Sequence, residues 1–179
     1  MTSEETEQTV WQGKFITAKV KGKWEYVSRS RGIKAAVILA IDAEDHVLLV
    51  EQFRVPLGRP CLELPAGLVG DDDDKQGEHA TEAANRELEE ETGYRAGRIE
   101  VLGEFYSSPG MVSESFTLLR ARDLIQVGPG GGVDGEDIVV HRVPLSGIEA
   151  FIAQARERGL GIDVRLLMLL GGKIMGESK

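Results

Sequence analysis

The fold is decided by the stretch Arg86-Glu87-Leu88-Glu89-Glu90-Glu91-Thr92-Gly93. It closes a segment, residues 78–92, in which alanine, leucine, glutamate and arginine dominate, and such a composition predicts an α-helix. Gly93 follows the last helical position, where glycine is the usual terminator because it adopts the left-handed conformation without strain. The sequence therefore predicts a helix over residues 78–92 that ends at Gly93.

Three of the glutamates in this stretch share one face of the predicted helix. Each residue advances about 100° around a helix, so Glu87, Glu90 and Glu91 fall within an arc of about 100°. Glu89 points away from them, and Arg86 lies one turn before Glu90, where it can hold that carboxylate. Like charges four positions apart destabilise a helix, and a hard divalent cation bound to the carboxylate oxygens would offset this effect. A solvated acidic face is the more common explanation of a charge run taken alone.

The rest of the sequence predicts a β-rich chain with few helices. Apolar, alternating or β-branched segments predict strands at residues 10–20, 23–29, 35–41, 46–52, 61–64, 98–106, 114–121 and 136–143. A capping box of Ser146 and Glu149 starts a second helix that runs to about Arg158. Asp163 caps a last helix over residues 164–170. Strands interspersed with three helices indicate a mixed sheet in a layered α/β or α+β fold.

Net charge and composition exclude several classes of function. The 179 residues carry a formal net charge of −9, which argues against nucleic acid or an anionic membrane as the partner. The longest apolar run, residues 35–41, is far too short to cross a bilayer, which takes about 20 residues. The N-terminus is acidic and lacks a signal-peptide core, so we expect a cytoplasmic protein. The single cysteine, Cys61, lies in an apolar stretch and is expected to be buried and structural.

The carboxylate stretch, together with the tight turn before it, resembles the signature of the Nudix hydrolases. The matching positions are Gly67, Glu78, Arg86, Glu87, Leu88, Glu90, Glu91 and Gly93. Ten residues instead of five separate Gly67 from Glu78, and Tyr94 stands where the family has an aliphatic residue. The insertion contains Asp71 to Asp74, and four adjacent aspartates cannot be buried unpaired. Residues 70–76 are therefore expected to form a solvent-exposed loop, with binding of an additional cation as the alternative.

Further segments resemble the ADP-ribose pyrophosphatase branch of that family. They are Trp24–Arg29, Glu51–Arg54, Cys61–Leu68, Ser107–Gly110 and Asp134–Ile138. The resemblance implies a Nudix-type α/β/α sandwich with a mixed sheet, preceded by a small N-terminal antiparallel sheet. It divides the chain into an N-terminal β segment, residues 1–30, for dimerisation and contacts to the substrate base, and a Nudix hydrolase domain, residues 31–179. It also implies a homodimer whose chains swap or share the N-terminal sheet.

The resemblance also implies which residues bind metal and substrate. Magnesium, for which manganese can substitute, is expected on the backbone oxygen of Ala66 and on the carboxylates of Glu87, Glu90 and Glu91. The substrate-binding residues implied by the resemblance are Trp24, Glu25, Arg29, Arg54 and Leu68. The forked guanidinium groups of the two arginines suit a diphosphate, while the tryptophan stacks on the base and the glutamate accepts from its amino group.

Catalysis is expected to depend on an acid in a late loop. The resemblance places Glu136 as the base that activates the attacking water, with Glu90 and Arg86 completing the catalytic set. Asp137 and Glu114 remain alternatives for the base. The glycines that flank Glu136 suit a loop that closes over the substrate.

These assignments imply magnesium-dependent hydrolysis of the diphosphate linkage of a nucleoside diphosphate sugar. The expected substrate is ADP-ribose, cleaved to AMP and ribose 5-phosphate, and the alternative is GDP-mannose or a broad range of nucleoside diphosphate sugars. A non-catalytic nucleotide-sugar sensor is disfavoured because all the helix carboxylates are present. A dinucleotide-binding oxidoreductase is disfavoured as well, because the glycine pattern of residues 130–135 leads into a strand and not from a strand into a helix.

Overall fold

The computed structural model describes residues 6–30, 34–69, 79–133 and 135–176. The strands are β1 Gln8–Gln12, β2 Ile16–Lys21, β3 Trp24–Arg29, β4 Lys34–Ala40, β5 His46–Arg54, β6 Arg59–Glu63, β7 Ala66–Val69, β8 Tyr94–Tyr106, β9 Ser115–Gln126, β10 Val139–Pro144 and β11 Gly161–Ile162. The α-helices are α1 Ala80–Thr92, α2 Ile148–Glu157 and α3 Gly171–Ile174. Short 3-10 segments cover Val55–Leu57, Leu145–Gly147 and Val164–Leu170.

The strands form three sheets. The first is the N-terminal sheet, with strand order β1-β2-β3, and the other two are four-stranded, with orders β10-β5-β6-β11 and β7-β4-β9-β8. Strand β4 pairs in parallel with β9 and antiparallel with β7. Strand β11 pairs in parallel with β6, whereas the other partners in its sheet are antiparallel. Both four-stranded sheets are therefore mixed, as the sequence predicted.

Two hydrophobic cores lie on opposite sides of the central strands. Side chains alternate along a strand, so Ala36 and Ile38 of β4 pack with Leu88 of α1, whereas Val37 packs with Ile152 of α2. Complete burial of a leucine such as Leu88 stabilises the fold by about 1.5–3 kcal/mol. One helix on each face of the sheets gives the α/β/α sandwich that the sequence predicted.

The N-terminal sheet is attached to the sandwich through β3. The Val27 N–H donates to the Met111 oxygen (2.9 Å) and the Ser113 N–H to the Val27 oxygen (2.9 Å). The predicted hairpin has one more strand than expected, because a turn closed by the Gly13 N–H and the Ile16 oxygen (2.8 Å) divides residues 10–20 into β1 and β2. At this point the sheet is joined to the main domain by backbone pairing.

Three local expectations from the sequence are wrong. Residues 66–69 form strand β7, paired with β4, although Ala66 and Gly67 were expected in the tight turn before the helix. The capping box is absent, because a 3-10 turn precedes α2 and its N-cap is Gly147, which has no side-chain cap. Asp163 does cap the next segment, accepting from the Arg165 N–H at 2.7 Å, but that segment is a 3-10 helix and not an α-helix.

Two expectations fall where the structure gives no description. Glu78 of the signature and the insertion with Asp71 to Asp74 both lie outside the described residues. In the part of the chain that is described, no helix is long and apolar enough to cross a membrane.

Candidate active site

Glu87 and Glu91 of α1 face strand β7. The Glu91 carboxylate is 6% exposed and its Oε2 accepts from the Ala66 N–H at 3.0 Å. A Cβ atom at Gly67 would overlap the Cδ atom of Glu87, so only glycine lets the strand approach the helix this closely. The start of β7 and the carboxylate stretch are therefore one structural unit.

Arg86 links the carboxylates to β7. Its Nη1 donates to Glu87 Oε1 at 2.7 Å and to Glu90 Oε2 at 3.2 Å, and its Nη2 donates to the Leu68 oxygen at 3.5 Å. The contact with Glu90 is the one that helical geometry predicted. The guanidinium reduces the repulsion between the two glutamates, which contributes to holding three like charges on one helix face.

The Glu91 carboxyl has a strongly shifted pKa. Burial is the main cause, the negative charges of Glu87 and Glu136 add to it, and together they raise the pKa from 4.5 to about 8. The Ala66 N–H and the Arg54 guanidinium act in the opposite direction without cancelling the effect. In the absence of a cation, Glu91 is therefore mostly protonated at neutral pH.

These carboxylates border a cleft of about 640 Å³. Residues predicted from the sequence that line it are Arg29, Arg54, Ala66, Leu68, Glu87, Glu91 and Glu136. Arg86 and Glu90 lie beside Glu87 on α1 but are not among the lining residues. Trp24 and Glu25 are exposed on β3 and do not line the cleft of the single chain.

A chain of alternating charges fixes Arg54. Its Nε and Nη2 donate to the two oxygens of Glu63 at 2.6 and 3.0 Å. Glu63 is 4% exposed and also accepts from Arg165 Nη2 at 3.2 Å, while Arg165 is paired with Asp163 at 2.6 and 2.8 Å. Glu63 is a buried carboxylate and therefore needs partners of opposite charge. The two arginines supply that charge, and Glu63 in turn holds the Arg54 guanidinium in place.

The sequence alone indicated no role for Glu63 or Arg165. A signal for Glu63 was present, since a carboxylate between leucines in a buried strand requires a partner. No local pattern pointed to Arg165, because it contacts a residue 102 positions away.

The three acids considered for the base lie in different surroundings. Glu136 lines the cleft, and its Oε2 accepts from the Val133 N–H at 3.0 Å. Glu114 also lines the cleft but is held by Arg29 Nε at 2.5 Å. Asp137 is exposed and lines a separate hollow formed mostly by glycines. Of the two candidates that line the cleft, Glu114 is hydrogen-bonded to an arginine, whereas Glu136 has no such bond to an arginine in the described part of the chain.

The donor set suits a hard divalent cation. Within the described residues, no three acidic, histidine or cysteine side chains are already grouped as a metal cage. The buried Glu91 nevertheless lies near the negative charges of Glu87 and Glu136, which add to the effect of burial in raising its pKa. Carboxylate oxygens are the ligands that Mg²⁺ favours, so the residues fit such an ion.

A layered α/β/α fold in which helix carboxylates and arginines share one cleft is typical of a hydrolase that handles phosphate groups with divalent cations. A model of the NUDIX domain matches residues 31–144. The chain belongs to the Nudix family of hydrolases, whose members generally use divalent metal ions.

Several relatives carry more specific names. GDP-mannose pyrophosphatase of Cronobacter sakazakii is 37% identical over 159 residues, which cover 84% of this chain and 77% of that protein. ADP-ribose pyrophosphatase of Bacillus subtilis is 40% identical over 90 residues, covering 50% of this chain and 46% of that protein. A crystal structure titled as an ADP compounds hydrolase superimposes with a TM-score of 0.70 and 25% identity, covering 97% of this chain and 95% of that one.

Proposed function

We propose that this Nudix hydrolase cleaves the diphosphate linkage of a nucleoside diphosphate sugar, with ADP-ribose preferred and Mg²⁺ as the metal. The observation that carries the proposal is that Arg29 and Arg54 line the same cleft as Glu87 and Glu91. Forked guanidinium groups bind phosphate oxygens, and carboxylates bind the cations that accompany them. This arrangement also explains how a protein with net charge −9 accepts an anionic substrate.

The proposal gives each of these residues a role. Ala66, through its backbone oxygen, Glu87 and Glu91 hold the metal, with Glu90 assisting. When bound, Mg²⁺ neutralises phosphate charge and lowers the pKa of a coordinated water. Arg29 and Arg54 orient the diphosphate, and Leu68 contributes to the wall of the substrate site.

Glu136 accepts the proton from the attacking water. The water oxygen bonds to one phosphorus in line with the bridging oxygen, whose bond to that phosphorus breaks. The electron pair of the broken bond leaves on the second phosphate. For ADP-ribose the products are AMP and ribose 5-phosphate.

The base is bound through the N-terminal sheet in a homodimer. Trp24 and Arg29 are five positions apart on β3, a separation of roughly 16 Å at about 3.3 Å per residue. The Trp24 ring therefore meets a base only at the far end of an extended substrate or in the cleft of a second chain. Trp11, Phe15 and Trp24 are 57%, 64% and 63% exposed, and such an apolar surface on a small sheet favours association.

Substrate preference is tested with ADP-ribose and GDP-mannose. We expect kcat/KM to be higher for ADP-ribose, because the Glu25 carboxylate accepts from the exocyclic amine of adenine. Trp24→Ala should lower kcat/KM by roughly tenfold or more, since stacking of a base on an aromatic ring contributes about 1–3 kcal/mol. Trp11→Phe is the control, because it changes the other exposed indole of the same sheet and keeps an apolar ring on the associating surface.

Two results would count against base recognition by Trp24. One is a higher kcat/KM for GDP-mannose, which the GDP-mannose pyrophosphatase relative makes the main competing substrate. The other is an unchanged kcat/KM for both substrates in Trp24→Ala. Each variant is weighed by light scattering, so that loss of the dimer is distinguished from loss of base binding.

A further inference from the structure

The glycine-rich segment 128–132 is attached by its backbone to the C-terminal end of α1. The Gly131 N–H donates to the backbone carbonyl oxygen of Glu91 at 2.8 Å, and the Gly132 N–H donates to the backbone carbonyl oxygen of Glu90 at 3.0 Å. The last carbonyls of a helix have no partner within the helix. Here a loop satisfies two of them, at the residues whose side chains carry the carboxylate cluster.

Two glycines interlock where the loop meets the helix. A Cβ atom on Gly130 would overlap the Thr92 carbonyl carbon and lie 2.7 Å from the Gly93 nitrogen. A Cβ atom on Gly93 would lie 2.7 Å from the Gly130 nitrogen. Gly93 has a φ of 76° at the helix end, and Gly130 also has a positive φ, of 67°, which favours glycine independently of the contact. The lack of a side chain at Gly130 serves the contact with α1.

The same loop leads directly to Glu136. The Gly131 oxygen accepts from the Ile138 N–H at 3.1 Å, and Ile138 is buried, so the loop is fixed on both sides of Glu136. A Cβ atom on Gly132 would lie 2.5 Å from Glu136 Oε2, so this side chain packs on the glycine backbone. The position of Glu136 is therefore set by backbone contacts that begin at α1.

We propose that this contact, which we call the latch, positions Glu136 relative to the carboxylates of α1. The latch consists of the Gly93–Gly130 contact and the hydrogen bonds of Gly131 and Gly132 to the helix end. It deepens the proposed function, because it rests on Glu136 acting as the base. Gly130 is a positioning residue in this arrangement and touches no substrate.

The test compares two Gly→Ala substitutions in one loop. A Cβ at Gly128 meets no atom within 4 Å and its φ is not positive, so Gly128→Ala is the matched control. Gly130→Ala should lower kcat by roughly tenfold or more with KM nearly unchanged, the size of loss expected for a displaced general base. Gly130→Asn is the second variant, since asparagine tolerates a positive φ but still has the Cβ atom that opens the latch.

Two further measurements distinguish positioning from a purely structural role. Amide hydrogen exchange at Gly131 and Gly132 should be slow in the wild type and in Gly128→Ala, and fast in both Gly130 variants. Glu136→Gln should lower kcat by itself. Adding Gly130→Ala to it should cause little further loss of kcat, because both substitutions remove the same contribution, that of a correctly placed Glu136. Mn²⁺ affinity, measured without substrate, should stay within a few fold of the wild type in every one of these variants.

The proposal is overturned if the losses of Gly130→Ala and Glu136→Gln multiply, if fast exchange leaves kcat unchanged, or if Gly128→Ala and Gly130→Ala have equal activity. Failure of the proposed function has a different result. In that case Glu136→Gln retains wild-type turnover, or no nucleoside diphosphate sugar is hydrolysed, whereas the exchange pattern of the Gly130 variants still reports the latch.

Discussion

Replacing Glu91 by glutamine in the metal-free protein tests whether the buried Glu91 carboxyl lowers the free energy of unfolding. Glu91 is almost fully buried, and its pKa is raised from 4.5 to about 8 by burial and by the charges of Glu87 and Glu136. Glutamine has the shape of the protonated form and keeps an oxygen that can accept from the Ala66 N–H. Glu91→Gln should therefore stabilise the metal-free fold and impair the metal site.

The magnitude follows from the two pKa values. One pKa unit corresponds to about 1.4 kcal/mol, and at pH 7 the unfolded chain, with a carboxyl pKa of 4.5, has lost a proton that folded Glu91 mostly retains. This difference destabilises the folded wild type by about 3 kcal/mol at pH 7. Between pH 4.5 and 8 the unfolded state binds fewer protons, so the free energy of unfolding falls as pH rises. The destabilisation is absent below pH 4.5 and complete above about pH 8.

The assay is urea unfolding in the presence of a chelator at pH 5.0 and pH 7.5. The free energy of unfolding of Glu91→Gln should exceed that of the wild type by about 4 kcal/mol at pH 7.5 and by less than about 1 kcal/mol at pH 5.0. Glu89→Gln is the matched control, because Glu89 is exposed and bonded to Arg95, and such surface pairs contribute at most about 1 kcal/mol. Equal pH dependence in the wild type and in Glu91→Gln would refute the reasoning.

The stability advantage of Glu91→Gln should largely disappear when metal is present. A cation at a hundred times its dissociation constant stabilises the wild type by about 2.7 kcal/mol, and this gain should be lost in Glu91→Gln. Because folded Glu91 is mostly protonated, metal binding at pH 7 should release about one proton, which calorimetry in buffers of different ionisation enthalpy detects. Turnover should fall by roughly a hundredfold or more, and near-wild-type turnover would contradict the site assignment.

Three further predictions concern the surroundings of the site. Arg165→Met should raise KM about tenfold with kcat little changed, because Glu63, which holds Arg54, then loses its second arginine partner. Arg165→Lys should recover part of the loss, since lysine restores the charge without the forked geometry. Unchanged steady-state kinetics would contradict this role. The protein should be a dimer by light scattering at micromolar concentration, and Trp11→Glu should give a monomer; a monomeric wild type would refute the dimer. Deleting residues 70–74 restores the spacing of five residues in the signature and should leave most activity, whereas inactivity with a native circular dichroism spectrum would show that the insertion takes part in the site.

The helix and its carboxylates could be predicted because their pattern is local. Residues 80–92 form α1, Gly93 ends it with a φ of 76°, and Arg86 contacts Glu90 as helical spacing requires. The family signature supplied Gly67, and the structure adds the reason, which is the close approach of β7 to Glu87. Patterns within about ten residues therefore carried the fold class and the centre of the site.

The parts that could not be predicted depend on distant pairing. Strand β7 exists because residues 66–69 pair with β4, some thirty positions earlier in the chain, and its short sequence alone resembles a turn. Arg165 reaches Glu63 across 102 positions. A 3-10 turn after Pro144 precedes the second helix, so the N-cap is Gly147, one position after Ser146, and Glu149 is the second residue of the helix instead of the third.

Two buried carboxylates in one cleft differ in how their charge is balanced, and this difference separates a structural role from a functional one. Glu63 is bonded to the guanidinium groups of Arg54 and Arg165, so the fold itself supplies the opposite charge that a buried anion requires. Glu91, equally buried, has one backbone N–H and lies near two further carboxylates. A fold that can place two arginines around one glutamate could also have neutralised the other. In the metal-free protein a proton neutralises Glu91, and under the proposed function a divalent cation brought with the diphosphate substrate would replace that proton.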